Sequence, residues 1–253
     1  MIVNTMPDKK RGRRFIVAAG SSSRNIVSLS LLLQRFNYEV SIANTAAQAL
    51  ERISADQPAL VFTDLVLPDM GGIDFFEKLR KSQGGNSIPV IFMVPPGDAA
   101  AEHRCMAYGA AGCITKPVQA EELYWTVQHL IEPRPRSSMR ISARMPVSVD
   151  SVPLDCGTKE CSIDLSEQGM RVPIDKPYPR NKQVVVQLHM KERTISIEGS
   201  VRYYLPAHSG QSDSPVMGLM FSSIAPQDKE FIRNFVRDEV VRDVNEALTL
   251  QYP

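Results

Sequence analysis

Two sets of residues in this sequence have types and spacings that suit a chemical role. In the first set, Arg136 and Arg140 form R-x-x-x-R, and Asp164, Ser166 and Gly169 follow as D-x-S-x-x-G. Planar guanidinium groups bind phosphates and carboxylates in a forked geometry, while a carboxylate accepts N–H donors. Taken alone, the arginines also suit a solvated linker, and D-x-S-x-x-G also suits a polar turn between strands.

The second set is Asp64 and Lys116, which both follow apolar runs in the first half of the chain. Each residue is expected at or just beyond the carboxyl end of a strand. Ligands of open parallel sheets bind at that edge.

The first half of the chain alternates short apolar runs with stretches of helical spacing. The apolar runs are RFIVAA, EVSIA, ALVFT, PVIFMV and GCIT. Such runs are typical of strands that are covered on both faces of a parallel sheet. The helical stretches are Ile26 to Phe36, Ala46 to Ile53, Ile73 to Leu79, Ala99 to Tyr108 and Glu121 to Ile131. The pattern predicts a doubly wound α/β domain with a five-stranded parallel sheet over 14–131.

A stretch rich in proline and arginine, EPRPRSSMR, ends this alternation, and we place a linker that carries R-x-x-x-R at 132–145. Beyond it lie short strand-like runs with turn signals between them: MPVSV, TKECSI, GMRV, QVVVQLHM, TISIEGSVRYYL and PVMGLMF. They predict a small antiparallel β-barrel over 146–225. Pro226 suits the first turn of a closing helix over 226–250.

Apolar residues recur every four positions along the predicted closing helix. They are Ile232, Val236, Val240, Val244 and Leu248. This spacing lies close to the helical period and predicts a long apolar stripe. The stripe is expected either to pack on the barrel or to join two copies of the chain as a homo-oligomer.

The bulk composition argues against several classes of protein. The formal net charge of +1 offers no general attraction to nucleic acid, and without a basic face or a recognition helix we expect no DNA binding. No apolar run approaches the ~20 residues that cross a bilayer, so we expect no membrane insertion. The four cysteines predict reduced thiols and a cytoplasmic location, and His and Cys spacings predict no metal site. No phosphate-binding loop or nucleophile motif occurs, so we expect no enzyme.

The first half resembles the receiver domain of response regulators over nearly its full length. The resemblance rests on VFTDLVLPDMGGIDFFEKLR at 61–80 and GAAGCITKPV at 109–118. It implies a flavodoxin-like fold in which Asp64 has the place of the phosphoacceptor and Lys116 that of the active-site lysine.

The surroundings of Asp64 depart from the receiver pattern. The resemblance implies an acidic pair after the first strand that holds Mg²⁺, but this stretch reads VAAGSSSRN. Mg²⁺ prefers charged oxygen ligands, and it stabilises the phosphoryl group during transfer. The family's Ser or Thr at the end of the fourth strand and its aromatic residue on the fifth are here Val94 and Cys113. We therefore expect a degenerate pseudo-receiver, with Asp64 and Lys116 as a paired remnant in a docking or dimerising module.

The second half resembles the PilZ domain from Arg136 to about Asp243. The resemblance rests on R-x-x-x-R followed by D-x-S-x-x-G, ahead of barrel strands and a closing helix. It implies a bacterial receptor for cyclic di-GMP, with the ligand bound by Arg136, Arg140, Asp164, Ser166 and Gly169. The family often has a basic residue directly before the first arginine. In this sequence that position is Pro135, and Arg134 is an additional candidate for binding the ligand.

The chemistry of these residues suits that ligand. An arginine fork binds O6 and N7 of guanine, and Asp164 is expected to accept guanine N–H groups. Ser166 is expected to donate to a phosphate oxygen. Gly169 suits a turn with positive φ or a close approach of two backbones.

We carry three functional hypotheses. In the first, the protein is a two-domain cyclic di-GMP effector that changes its interdomain angle on binding and signals to an unidentified protein partner, with motility, biofilm or virulence-type outputs. In the second, it is a phosphorylated response regulator with a PilZ output domain. In the third, both domains are degenerate and the chain is a scaffold that binds no ligand.

Overall fold

The computed structural model of the protein describes residues 14–21, 24–154, 161–174, 176, 178–190, 193–206 and 215–251. Side chains are described in these ranges except at 161, 162, 243 and 245–251. The chain divides into two compact units. The first, which we call the α/β unit, contains 14–136 and 240–251. The second, the β unit, contains Ser137–Glu239.

The α/β unit is a parallel sheet with helices between successive strands. Its strands are β1 (Phe15–Ala19), β2 (Glu39–Ala43), β3 (Leu60–Asp64), β4 (Val90–Val94) and β5 (Gly112–Thr115). Its helices are α1 (Arg24–Arg35), α2 (Ala46–Ala55), α3 (Gly72–Lys81), α4 (Ala99–Ala107) and α5 (Ala120–Ile131), with a 3-10 turn at Gly85–Ser87. All neighbouring strands are parallel in the order β2-β1-β3-β4-β5, which confirms the predicted doubly wound sheet.

Burial of the two central strands explains why their sequences carry so few polar residues. Every residue of β3 and β4 is buried, since helices cover both faces of the sheet. Phe75 and Phe76 of α3 pack in the same core as Phe92 of β4. The helix starts are defined locally. The Thr45 side chain, for example, accepts a hydrogen bond from the Gln48 backbone N–H at the start of α2.

The β unit is an eight-stranded antiparallel sheet. Its strands are β6 (Ile141–Met145), β7 (Val147–Val149), β8 (Val152–Pro153), β9 (Cys161–Ser166), β10 (Gly169–Pro173), β11 (Gln183–His189), β12 (Thr194–Leu205) and β13 (Val216–Ser223). They pair in the order β6-β9-β10-β13-β12-β11-β7-β8. This agrees with the predicted antiparallel β fold. Part of the stretch predicted as a linker is strand β6, because Ile141 and Met145 are buried and the strand pairs with β9. The predicted domain boundaries stay predictions.

Alternation along the strands separates a buried face from an outer face. In β11, Val184, Val186 and Leu188 are buried, whereas Gln183, Val185 and His189 are exposed. The same period of two places Ile163 and Leu165 of β9 inside the unit and leaves Asp164 between them on the other face. The pattern therefore fixes which side of the sheet carries polar groups.

The closing helix, α6 (Pro226–Gln251), confirms the predicted apolar stripe. Ile232 and Val236 lie in its part of the β unit, and Val240 and Val244 lie in its part of the α/β unit. All four are buried within the chain, which agrees with intramolecular packing, while self-association stays a prediction. The Leu248 side chain lies outside the described residues. None of the described helices has the length and apolar content that crossing a bilayer requires.

Candidate ligand-binding site

The structure brings Asp64 and Lys116 together at the carboxyl edge of the parallel sheet. Asp64 is the last residue of β3, and Lys116 directly follows β5. The Lys116 ammonium group forms an ion pair with Asp64 Oδ1. Asp64 is only 5% exposed, so this carboxylate is enclosed by protein. Gly20, just beyond β1, contributes to the enclosure, because a Cβ atom there would lie 2.8 Å from Asp64 Oδ2.

The donor set around Asp64 does not fit a magnesium ion. The end of β1 carries Ala18 and Ala19, both fully buried, and Ala19 pairs with Thr63, the neighbour of Asp64 in β3. The residues at the end of β1, Ala18, Ala19 and Gly20, therefore supply no carboxylate beside Asp64. No cluster of three or more His, Cys, Asp or Glu side chains suited to a metal ion occurs in the part of the chain that the structure describes. Mg²⁺ requires an octahedral set of oxygen ligands, which one paired carboxylate does not supply.

The other departures from the receiver pattern lie where the sequence placed them. Val94 is the last residue of β4, and Cys113 lies on the neighbouring strand β5. Burial raises the pKa of the Cys113 thiol to about 11 and also raises the pKa of the Cys105 thiol. Both are free thiols, as predicted. Cys156 lies outside the described residues, as does the side chain of Cys161.

In the β unit, D-x-S-x-x-G forms a tight hairpin between β9 and β10. Ser166 is paired directly with Gly169 across the two strands. The Ser166 side chain is buried, and its hydroxyl donates to the Gly169 carbonyl at 3.0 Å. The Gln168 backbone N–H donates to the same hydroxyl at 3.4 Å. Ser166 therefore closes the turn in this structure and would have to release Gly169 before it could donate to a phosphate.

Gly169 is required by the close approach of another strand. A Cβ atom at this position would lie 2.3 Å from the Leu219 carbonyl oxygen of β13. Of the two roles considered from the sequence, the structure thus has the close backbone approach, and Gly169 does not adopt a positive φ. The glycine lets β10 pair with β13 directly beside the turn.

Asp164 lies mid-strand on the outer face and already has two partners. Its Oδ1 accepts a hydrogen bond from the Ser142 hydroxyl of β6 at 2.6 Å. Its Oδ2 forms an ion pair with the guanidinium group of Arg171 on β10. Both contacts follow from strand register, since Ser142 and Arg171 are the direct cross-strand partners of Asp164. A carboxylate has about four lone-pair directions, so each oxygen retains capacity for one further donor.

Ser142, Asp164 and Arg171 form a row of cross-strand partners, and strand register extends this row beyond Arg171. The extension adds residues that the sequence did not single out. Arg171 pairs with Gly218 of β13, and Gly218 pairs with Tyr203 of β12. The Tyr203 ring covers Gly218, because a Cβ atom at Gly218 would lie 2.3 Å from Tyr203 Cζ. Arg171 was detectable in principle from the hairpin register around D-x-S-x-x-G. Tyr203 was not, since its place depends on the pairing of β12 with β13.

The arginines of R-x-x-x-R fall in different environments. Arg140 is half-buried and stands directly before β6, two residues from Ser142. Arg134 and Arg136 have exposed side chains and belong to the end of the α/β unit, where the Arg136 backbone N–H donates to Gln128 Oε1 at 3.0 Å. The next residue, Ser137, donates from its hydroxyl to Gln168 in the β9–β10 turn at 2.8 Å.

The two halves match two families of regulatory domains. The family model of the response regulator receiver domain matches residues 21–128, and that of the PilZ domain matches residues 132–238. Response regulator Rre1 of Synechocystis sp. is 24% identical over 201 residues, which cover 78% of this chain and 74% of that protein. Two-component response regulator ORR7 of Oryza sativa subsp. japonica is 27% identical over 110 residues, which cover 43% of this chain and 52% of that protein.

Solved structures are similar to part of this chain. A putative response regulator from Chloroflexus aurantiacus is 23% identical with a TM-score of 0.45, and the match covers 47% of this chain and 97% of that chain. The chain spans about half the length of the rice regulator, 52%, and 74% of the Synechocystis regulator.

Proposed function

The chain carries a response regulator receiver domain followed by a PilZ domain, and we propose that it is a receptor for cyclic di-GMP. Both are signalling domains rather than catalytic ones, and we extend the proposal to a cytoplasmic effector without enzymatic activity. The observation that carries the proposal is the outer face of the β unit at Asp164. There a partly exposed carboxylate with free acceptor capacity stands beside Arg171 and the D-x-S-x-x-G turn.

Asp164 and the arginines have complementary tasks in this proposal. Asp164 accepts the N–H donors on the Watson–Crick edge of one guanine, which Arg171 and Ser142 help to orient by holding the carboxylate. Arg136 and Arg140 supply guanidinium groups for guanine O6 and N7 or for the phosphates. Arg134 is an additional contact, which replaces the basic residue that the family often has at the position of Pro135.

Ser166 and Gly169 contribute in a different way from Asp164. The Ser166 hydroxyl and the absence of a side chain at Gly169 shape the turn between β9 and β10, next to Asp164. Ser166 becomes a phosphate donor only where ligand displaces its hydrogen bond to the Gly169 carbonyl. Tyr203 offers an aromatic ring over Gly218, in register with Arg171, for contact with a base.

For the receiver domain, the proposal is a pseudo-receiver that contacts a protein partner. Asp64 is enclosed and paired with Lys116, and the neighbouring end of β1 offers alanines rather than carboxylates. Nucleotide binding at the PilZ domain alters the signal passed to the partner only if the nucleotide binds two arrangements of the protein unequally.

A titration of the full-length protein with cyclic di-GMP tests the nucleotide site. Isothermal titration calorimetry is expected to show saturable binding that Arg140→Ala weakens at least about a hundredfold, as for the loss of a charged anchor at a buried contact. Arg237→Ala is the matched control, because Arg237 is an exposed arginine of α6 that pairs with its neighbour Asp238. Equal affinity in Arg140→Ala and Arg237→Ala would rule out the site. No binding by the wild type would favour the scaffold hypothesis.

A second assay separates the pseudo-receiver from a phosphorylated regulator. The wild type is incubated with acetyl phosphate and Mg²⁺, and phosphorylation is followed by intact-mass spectrometry. No mass increase is expected, because the donor set around Asp64 does not fit the metal ion. An increase of one phosphoryl group that disappears in Asp64→Asn would refute the pseudo-receiver and support the alternative.

A further inference from the structure

A buried hydrogen-bond network inside the α/β unit ends on the backbone of Arg136. Gln128 of α5 is 3% exposed, and its Oε1 accepts from the Arg136 backbone N–H at 3.0 Å. Its Nε2 donates to the Tyr38 hydroxyl at 2.9 Å. That hydroxyl in turn donates to Glu132 Oε1 at 3.3 Å, and Glu132 forms an ion pair with Arg14 at 3.6 Å. The network thus joins the start of β1, the start of β2 and the end of α5.

The roles of donor and acceptor in this network are determined by its chemistry. Tyr38 is 6% exposed, and burial together with the Glu132 carboxylate raises the pKa of Tyr38 well above its usual value. The hydroxyl therefore keeps its proton and donates to the carboxylate, so its oxygen accepts from the Gln128 amide nitrogen. The amide orientation follows, and it turns the Gln128 carbonyl oxygen toward Arg136.

A buried amide group holds its partners strongly, because the alternative is a polar atom without a hydrogen bond. A buried group left without a partner has also lost its hydrogen bonds to water, so the loss is not compensated. The Arg136 backbone is consequently anchored, while its side chain is exposed. An anchored backbone with a guanidinium group in solvent is the arrangement of a binding residue that is positioned before its ligand arrives.

We propose that Gln128 is a positioning residue for the nucleotide site, which holds the first arginine of R-x-x-x-R in place through its backbone N–H. The proposal rests on the proposed function of the PilZ domain and assigns a role in it to a residue of the receiver domain. Ordering the arginine segment in advance lowers the entropy lost on binding, and affinity rises accordingly. Tyr38 acts one step further away, by orienting the Gln128 amide.

Calorimetric titration of cyclic di-GMP into full-length variants tests this role. Gln128→Leu removes the acceptor for the Arg136 N–H at similar volume, and we expect about tenfold weaker binding. Tyr38→Phe keeps the ring and removes only the hydroxyl, and we expect about threefold weaker binding from a less ordered amide. The second variant keeps the proposal testable if Gln128→Leu does not fold.

Val127→Ala is the control for a merely structural effect. Val127 is fully buried and precedes Gln128 in α5, so its truncation loosens the same core without altering the network. We expect it to lower the urea midpoint of unfolding of the α/β unit and to leave nucleotide affinity unchanged. Equal weakening by Val127→Ala and Gln128→Leu would overturn the proposal, because stability rather than positioning would then set the affinity.

A double-mutant cycle with Arg136→Ala measures the coupling between Gln128 and Arg136 in nucleotide binding. A merely structural role of Gln128 predicts no such coupling. Because Gln128 acts only through Arg136, Gln128→Leu should cause no further loss of affinity once Arg136 is alanine. Additive losses would refute the positioning role, and so would unchanged or tighter binding by a folded Gln128→Leu variant. These outcomes would refute the positioning role but not the nucleotide site. The nucleotide site itself would be refuted if the wild-type protein did not bind cyclic di-GMP.

Discussion

Each domain of this protein contains an aspartate paired with a basic side chain, and the two pairs differ in their surroundings. Asp64 stands at the end of a central parallel strand, is 5% exposed and is paired with Lys116. Asp164 stands on the outer face of an antiparallel sheet, is partly exposed and is shared between Arg171 and Ser142. The difference follows from sheet type, since a doubly wound sheet is covered on both faces and an antiparallel sheet leaves one open.

The comparison shows that an aspartate paired with a basic side chain occurs in two different environments. An enclosed carboxylate with one cation is held as an internal link, because separating the two charges would leave a buried charge alone. A carboxylate on an open face, with lone pairs to spare, is free to accept donors from a ligand. In this protein the residue types alone therefore do not distinguish the two aspartates, whereas their burial and their remaining acceptor capacity do.

The largest expected contrast comes from removing each cation. Lys116→Met leaves a buried carboxylate without its partner, and we expect the free energy of unfolding of the α/β unit to fall by about 3 kcal/mol. Arg171→Met breaks a pair whose side chains are 28% and 17% exposed, and we expect a loss of about 1 kcal/mol or less.

The free energy of unfolding of Lys116→Met is measured by urea denaturation. Unfolding is monitored by the fluorescence of Trp125, the single tryptophan, which lies in α5. Hydrogen exchange of β9 and β10 peptides measures the second variant, Arg171→Met. Equal losses in the two variants would remove the distinction between an enclosed pair and an open one.

A second contrast concerns two glycines, one in each sheet. Gly169→Ala places a Cβ atom 2.3 Å from the Leu219 carbonyl oxygen, and β10 and β13 must separate, at a cost of about 2 kcal/mol. Gly112 of β5 is the matched control, because a Cβ atom there meets nothing within 4 Å. We expect Gly112→Ala to change stability by less than about 0.5 kcal/mol.

Hydrogen exchange of the full-length variants is the measurement for both. Faster exchange should appear in β10 and β13 of Gly169→Ala alone. Unchanged protection of these strands would contradict the close approach assigned to Gly169.

The smallest expected contrast is in nucleotide affinity. Asp164→Asn keeps one acceptor oxygen but loses the charge and the second acceptor, so cyclic di-GMP should bind about tenfold more weakly, or about 1.4 kcal/mol. Asp64→Asn should bind the nucleotide like the wild type, since Asp64 lies in the other domain. Calorimetry under identical salt conditions compares the two, and an equal effect of both substitutions would show that the affinity does not depend on the Asp164 carboxylate.

Much of the architecture could be predicted because it depends on local pattern. Apolar runs such as those of β3 and β4 indicate strands covered on both faces, and a turn residue such as Ser166 bonds within its own hairpin. The apolar stripe of α6 also follows from spacing alone. Strand β6 was harder to predict from the sequence, because Ile141 and Met145 lie in a stretch whose prolines and arginines suggest a linker.

The residues that only the tertiary structure revealed are joined across long separations in sequence. Tyr203 reaches Gly218 by the pairing of β12 with β13, and Gln128 reaches Tyr38 by the packing of α5 against the segment between α1 and β2. Such contacts depend on which strands are neighbours and in which register. The sequence by itself determined the hydrophobic periodicity, the turns and the candidate charged residues, because these features depend on residues that are close together in the chain. Tertiary folding decided which charges are enclosed and which face solvent, because burial is a property of the assembled layers.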